Sequence, residues 1–256
     1  MKQLTVSVCS QLWSQPWGYA KTTNRIDSLE SKENAFMGLA KARPFIFHFV
    51  RKEVHLISTP DNILYQAAAV WKKLTEYRYV FTYGYKKQLY TINLTFTMED
   101  FPHLAGFQYL KDLTLPKYYP RKIVNQILNH KILYEQIIKG AQYEEMVKPR
   151  LKALIHLEDI LNNEFLLFSY MPKMYPFTTT IKADYLISSH LNTTSFVFII
   201  QTTSNGDAKC DYLCCSAFTK GERDYEANQR TRALLKKERI HIPTNTSTIL
   251  LNKISP

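Results

Sequence analysis

Residues 195–218 read SFVFIIQTTSNGDAKCDYLCCSAF, and this stretch decides the fold. Ser195–Gln201 is almost continuously apolar, short, and rich in aromatic and β-branched residues, as a strand covered on both faces requires. Asn205-Gly206-Asp207 is a hairpin signal, because Asn and Gly accept the positive φ of a tight reversing turn. CDYLCCSAF then returns as a second strand. Strands joined by a tight turn run antiparallel. The C-terminal part is therefore predicted to be an antiparallel sheet with 195–201 at its centre.

Working outward, FLLFSY (165–170) and TTTIKADYLIS (178–188) read as further strands. In the latter, Ile181, Ala183, Tyr185 and Ile187 alternate on one face and Lys182 projects opposite. STILLNKI (247–254) reads as a closing strand. The very polar 220–239 reads as a loop or an exposed helix. Upstream, RKIVNQILNHKILYEQIIKG (121–140) and VKPRLKALIHLEDIL (147–161) carry apolar residues at helical spacing, with Gly140 as a stop signal and Arg150 on the border of its stripe. FPHLAGFQYLKDL (101–113) reads as a short helix. YRYVFTYG (77–84) and LYTINLTF (89–96) alternate about Lys86-Lys87, and a helix through AAAVWKKL (67–74) is capped by Asp61 or Asn62. The sum is an α+β fold: a helical middle segment packed on a C-terminal antiparallel sheet. Residues 61–256 form this domain. Residues 1–60 form an N-terminal extension, in which PFIFHFVRKEVHLIS (44–58) reads as an added β-hairpin.

The chain of 256 residues is long enough for a sizeable core. Thirty-three Lys and Arg face 22 Asp and Glu, a formal net charge of +11 that favours polyanionic partners. No apolar run reaches the roughly 18 residues of a membrane span, and the N-terminus is too polar for a secretory signal. The expectation is a cytoplasmic protein without a membrane partner. Cys9, Cys210, Cys214 and Cys215 lack the paired spacing of a zinc site and are too few for a disulfide framework.

Phosphate-cradling glycine loops, nucleophile elbows, HExxH and a D-x-D acidic arrangement are absent. Neither a cofactor nor a metal is expected. Metal-free RNA cleavage needs a base, an acid, and cations or hydroxyls around the phosphorane. Histidine suits the first two roles, since its usual pKa is near neutrality. His103 is the candidate base, in a short helix directly after a strand. On pattern alone a capping or core-edge histidine is the commoner case. Ser216 and Thr219 end a strand beside Lys220, where hydroxyls and a lysine can take phosphate. Tyr225 follows in the polar loop.

Residues 62–254 resemble the phage-associated Barnase–EndoU–colicin–RelE-like nuclease domains, fourth group. The resemblance rests on YRYV (77–80), INLTFTMEDFPHLAGFQYLKDL (92–113), KILYEQIIKGAQYEEMVKPRLKALIHLEDIL (131–161), IKADYL (181–186), CSAF (215–218) and LLKKERI (234–240), in that order. The F-x-H-L-x-G core followed by Lys111-Asp112 is its most specific piece. The resemblance implies an α+β nuclease fold and a role against RNA in phages or mobile elements, such as a toxin. It points to His103, Lys182, Ser216 and Tyr225 as catalytic and to Lys111 as substrate-binding; Arg150, Thr219 and Lys220 join the substrate-binding set from the reading of the residues themselves. Gln108-Tyr109 stands where His-Lys is more usual, and Ala217 intervenes before the aromatic Phe218. Either change bears on specificity or activity. The reading is a metal-independent endoribonuclease whose partners are RNA and a protein inhibitor or host factor. The alternatives are a non-catalytic module that holds RNA or an acidic protein in the same basic cleft, and an assembly protein.

Overall fold

A computed structural model describes residues 62–115, 118–202 and 211–254. The N-terminal extension and Asn205-Gly206-Asp207 lie outside the described residues. Helix α1 (Ile63–Leu74) begins where Asn62 Oδ1 accepts the Tyr65 N–H at 2.9 Å, as its capping position predicts. Strands β1 (Tyr77–Tyr85) and β2 (Gln88–Thr95) form a hairpin. Its turn residues, Lys86 and Lys87, both take left-handed backbone, φ 48° and 63°. Each costs about 1 kcal/mol relative to a glycine there.

A helical stretch follows, and it is more broken than the periodicity predicts. Helix α2 (Phe101–Leu104) stops almost at once, because Gly106 turns left-handed (φ 85°) into a 3-10 turn at Phe107–Tyr109. Helix α3 (Pro120–Leu128) does not run on to Gly140. His130 takes φ 54°, and Lys131 N–H reaches Gln126 O at 2.8 Å, closing the helix with a left-handed cap. The His130 ring stacks on Tyr65 of α1 at 5.4 Å. After the short α4 (Tyr134–Ile137), Gly140 serves packing, since a Cβ there would meet Leu110 Cδ2 at 2.4 Å. A π-helical turn (Tyr143–Val147) leads into α5 (Lys148–Ile155), and α6 (Leu157–Asn162) completes the layer.

The remaining strands are β3 (Leu166–Ser169), β4 (Tyr185–Ser189), β5 (Ser195–Gln201), β6 (Asp211–Thr219), β7 (Arg230–His241) and β8 (Thr246–Asn252). The order is β1-β2-β6-β5-β4-β3-β7-β8, and a β1–β7 pairing closes seven of them into a mixed barrel. The α+β class holds. A purely C-terminal, wholly antiparallel sheet does not: β1 and β2 precede the helices, and β2 meets β6 in parallel over Asn93–Thr95 and Asp211–Leu213. The β5–β6 pair is antiparallel, as the opening stretch predicts.

Two further expectations are corrected. The segment 178–188 is strand only from Tyr185, because the Asp184 carboxylate takes the Gln201 N–H (2.7 Å) at the strand end. The segment 220–239 is a loop only to residue 229, and then β7. Its apolar alternation is masked because Lys237 and Arg239 hold the register positions opposite Phe81 and Tyr79. Lys237 is 2% exposed. Its stem lies over Phe165, and its ammonium donates to the carbonyls of Leu161 (3.0 Å) and Asn163 at the end of α6. Burial lowers its pKa to about 8.

The wall β3–β6 carries a different core on each face. Leu167, Ile187, Val197, Ile199, Cys214 and Ala217 join the main core with β1, β2 and the helices. Phe168, Leu186, Phe196 and Phe198 join a second, largely aromatic cluster. Tyr170, Tyr175 and Tyr225, from irregular segments, cover it.

Candidate active site

Strand β6 has two unlike halves. Residues 211–213 pair with β2, whereas 214–219 have β5 alone as a strand neighbour among the described residues. Helices α2 and α5 pack against this strand. The register with β5 slips between Phe198 and Ile199, so Phe198 faces Ser216, Ile199 faces Cys214, and Cys215 is the extra residue of a β-bulge. Bulges re-aim side chains. Here Ser216 shares the face of Phe198, toward the aromatic cluster, and Cys215 packs against that cluster too.

His103 reaches this bulge. Its ring hydrogen-bonds to the Cys215 backbone in a manner that favours the protonated ring, as donation to a carbonyl does. Although the residue as a whole is exposed, partial desolvation against β6 and the positive charge of Arg150 hold its pKa below the usual 6.5, with Asp100 as a partial counterweight. The shift favours the neutral ring, which has one nitrogen tied to the strand and can accept a proton at the other.

Arg150 is the centre of the cluster. Its guanidinium lies 4.9 Å from the Tyr109 ring centroid and 5.7 Å from that of Phe218. Nη1 donates to the Met146 carbonyl at 2.6 Å, at the end of the π-helical turn, and Nη2 approaches the Tyr109 hydroxyl at 3.4 Å. Gly106 makes the approach possible. A Cβ there would stand 3.0 Å from Arg150 Cδ and 3.2 Å from the Met146 carbonyl. The F-x-H-L-x-G pattern thereby acquires a physical meaning. Its histidine meets β6, and its glycine lets α2, the turn beneath Tyr109 and α5 crowd around one arginine.

Tyr225 is 6% exposed, packed edge-on against Phe196, Phe198 and Phe218, and it interacts electrostatically with Arg150. The structure thus gathers His103, Arg150, Ser216 and Tyr225 about the free half of β6. Lys182 meets the group through its backbone: its carbonyl accepts from Cys215 Sγ at 3.4 Å, and its side chain is exposed. Thr219 pairs with Ser195 and shares the opposite face of β6 from Phe218. Lys220 is exposed and pairs with Asp224 at 3.2 Å. Lys111 is exposed just past the Tyr109 turn. Tyr109, Phe218 and Cys215 are the members that sequence reasoning did not select. The departures noted at 108–109 and 217–218 were the available signal, since both flank Arg150.

Among the described residues no three His, Cys, Asp or Glu side chains group as a metal site requires, and no helix is long and apolar enough to cross a membrane. The sequence profile of the family described as phage-Barnase-EndoU-ColicinE5/D-RelE like nuclease4 matches residues 63–253. The chain belongs to this family. No curated protein and no solved structure matches it. The match spans the eight strands and six α-helices of the described residues, so the family domain includes both the His103–Arg150 group and the barrel that supports it.

Proposed function

We propose that this nuclease domain is an endoribonuclease that cleaves by internal attack of the ribose 2′-hydroxyl, without a metal ion. The observation that carries the reading is His103: a ring held at one nitrogen by the Cys215 backbone, its neutral form favoured by partial desolvation and by Arg150. The free nitrogen takes the 2′-hydroxyl proton as the 2′-oxygen bonds to phosphorus. Arg150 and the Ser216 hydroxyl stabilise the charge on the phosphorane. Two Arg150 N–H groups are engaged by Met146 and Tyr109, and a guanidinium has five. The P–O5′ bond then breaks, and the departing oxygen takes a proton from the Tyr109 hydroxyl. That hydroxyl accepts from Arg150 and so keeps its own proton to give. Tyr225 holds Arg150 and Phe218 in place from within the aromatic cluster. Lys111, Lys182 and Lys220 offer phosphate contacts to the flanking chain, with Thr219 at the strand end. The products are a 2′,3′-cyclic phosphate and a 5′-hydroxyl. The natural setting of the reading is a phage or mobile-element toxin acting in the cytoplasm, met by an inhibitor or host factor.

The test is incubation with end-labelled RNA in excess EDTA, beside His103→Ala. Chelator-resistant cleavage with cyclic-phosphate ends, reduced about 10²- to 10⁴-fold by the substitution, is expected. Undiminished cleavage by His103→Ala would remove the base. Salt-sensitive binding without turnover would leave the non-catalytic module instead.

A further inference from the structure

The far end of the barrel carries a second group of residues that the cleavage chemistry does not use. Strand β2 begins five residues before its first level with β6, so Gln88–Thr91 pair with β1 alone among the described residues and are exposed. Tyr90 stacks on Tyr83 at 5.3 Å, with 14° between the rings, and is 38% exposed. Tyr83 is braced from below. Its hydroxyl lies 2.6 Å from that of Tyr185, which also bonds to Tyr212. An aromatic ring on a rigid base, with solvent beside it, can stack a nucleobase at little cost in side-chain ordering.

Cations lie over the neighbouring Tyr85, whose ring centre is 6.4 Å from that of Tyr90. The Arg232 guanidinium lies 3.8 Å from the Tyr85 centroid, fixed by its Nε donating to Ser169 Oγ at 2.7 Å. The Lys86 ammonium lies 5.3 Å from the same ring. Both charges pull the Tyr85 phenol below its usual pKa of 10.0. The nearby Asp184 carboxylate is engaged by the Gln201 N–H. Lys86 and Lys87 have no acidic partner within 4.0 Å among the described residues.

The hairpin tip supplies an independent observation. Consecutive left-handed residues form the turn type that favours Asn-Gly, yet both positions hold lysine. Strain retained at a tip directs attention to what the side chains do. Here the Lys86 ammonium lies over the Tyr85 ring, and among the described residues neither lysine has an acidic partner within 4.0 Å.

We propose that this barrel mouth is a nucleic-acid subsite that grips single-stranded RNA away from the cleaved bond, with Tyr90 stacking a base and Lys86, Lys87 and Arg232 contacting phosphates. The proposal takes its substrate class from the ribonuclease reading. Along the strands, Tyr90 and the bulge at Cys215 stand about 20–25 Å apart at the usual rise per residue. A dinucleotide cannot bridge that distance, whereas a single-strand footprint of roughly 4–16 nucleotides can.

The experiment measures binding of the full chain to a fluorescent 2′-O-methyl oligonucleotide, which cannot be cleaved, and separately cleavage of a dinucleotide and of a long RNA. Lys86→Asn with Lys87→Gly is the decisive variant. It should raise the thermal midpoint, because the turn is relieved, while weakening oligonucleotide binding about tenfold and lowering the log–log salt slope by one to two. Tyr90→Ala should weaken binding by a similar factor, and Tyr90→Phe should restore it. Dinucleotide cleavage should be unchanged in all three, and KM for long RNA should rise at constant kcat. Oligonucleotide affinity equal to wild type in the lysine variant and in Tyr90→Ala would overturn the proposal. So would a polyglutamate peptide bound as tightly with the same hairpin dependence, which would make the mouth a surface for an acidic protein. Hairpin-dependent binding without cleavage would keep the subsite and remove the ribonuclease reading. Cleavage of long RNA indifferent to the hairpin would do the reverse.

Discussion

The two faces of the β3–β6 wall are built from the same strands and do different things. The inner face is mainly aliphatic, joins the helical layer and is held by regular structure on every side. The outer face is a patchwork of rings, Phe168, Phe196, Phe198, Tyr170, Tyr175 and Tyr225, covered by loops that cross-link one another. Gln229, for example, accepts from the Met171 N–H at 2.6 Å and donates to the Met171 carbonyl at 3.2 Å. Aliphatic packing with helices specifies a fold. Ring packing under loops aims a few groups at the free half of β6. The contrast teaches that stability and activity should separate by face.

The largest expected effect is on the inner side. Trp71→Ala removes a ring that is 1% exposed and whose Nε1 donates to the Thr97 carbonyl at 2.9 Å. It should cost about 3–5 kcal/mol in denaturant unfolding, and the fraction still folded should cleave RNA at the wild-type rate. A loss of specific activity as well would blur the division. Next comes Gly106→Ala at the rim of the outer site. Its new methyl meets Arg150 Cδ and the Met146 carbonyl. With the strained φ it should cost about 1 kcal/mol in stability but about 10²-fold in kcat, through a displaced guanidinium.

Lys237 sharpens the comparison from within the inner core. Its pKa near 8 in the folded chain lies below the 10.5 of an exposed lysine. Between those values the folded chain has released the proton that the unfolded chain still holds. Stability should therefore rise as pH goes from 7 to 9.5, by about 1–3 kcal/mol. Lys237→Met should flatten that rise without changing the pH profile of cleavage; a persistent rise in the variant would place its origin elsewhere. The smallest effect belongs to Asp100→Asn. Asp100 raises the pKa of His103 against burial and Arg150, so its neutralisation should move the acid limb of the kcat/KM profile to lower pH. A limb moving upward would mean that His103 is not the group titrating.

Much of this was legible in the sequence, and the losses have physical causes. The antiparallel β5–β6 pair, β1, β2, β3 and β8 follow from their apolar patterns, and α1 from its Asn62 cap. Strand β7 was hidden because a lysine and an arginine occupy register positions that normally go to apolar residues, their long stems doing the burying. Helix α3 was overrun because His130 accepts a left-handed backbone that few residues other than Gly or Asn announce. The parallel β2–β6 contact and the closure of the barrel join segments far apart in sequence, and local patterns carry no register information across such distances. At the site, His103 could be chosen from the family resemblance and Arg150 from its place at the border of the helical stripe. Tyr109 and Phe218 were signalled only as departures from the family pattern, because their role arises only where α5 lays an arginine across them.

Strand β7 also sets when this domain can come into being. It pairs with β1, roughly 150 residues earlier in the chain, so closure depends on contacts of the slow, high-contact-order kind. A nascent chain still short of Arg230 has no strand with which to close its barrel. During synthesis the helical layer emerges and waits, while both β6 and the tyrosine-bearing loop after it are still to come. For a domain of a nuclease family, lateness of assembly has a consequence: the residues gathered about the free half of β6 come together only after that strand and the loop that follows it have been made.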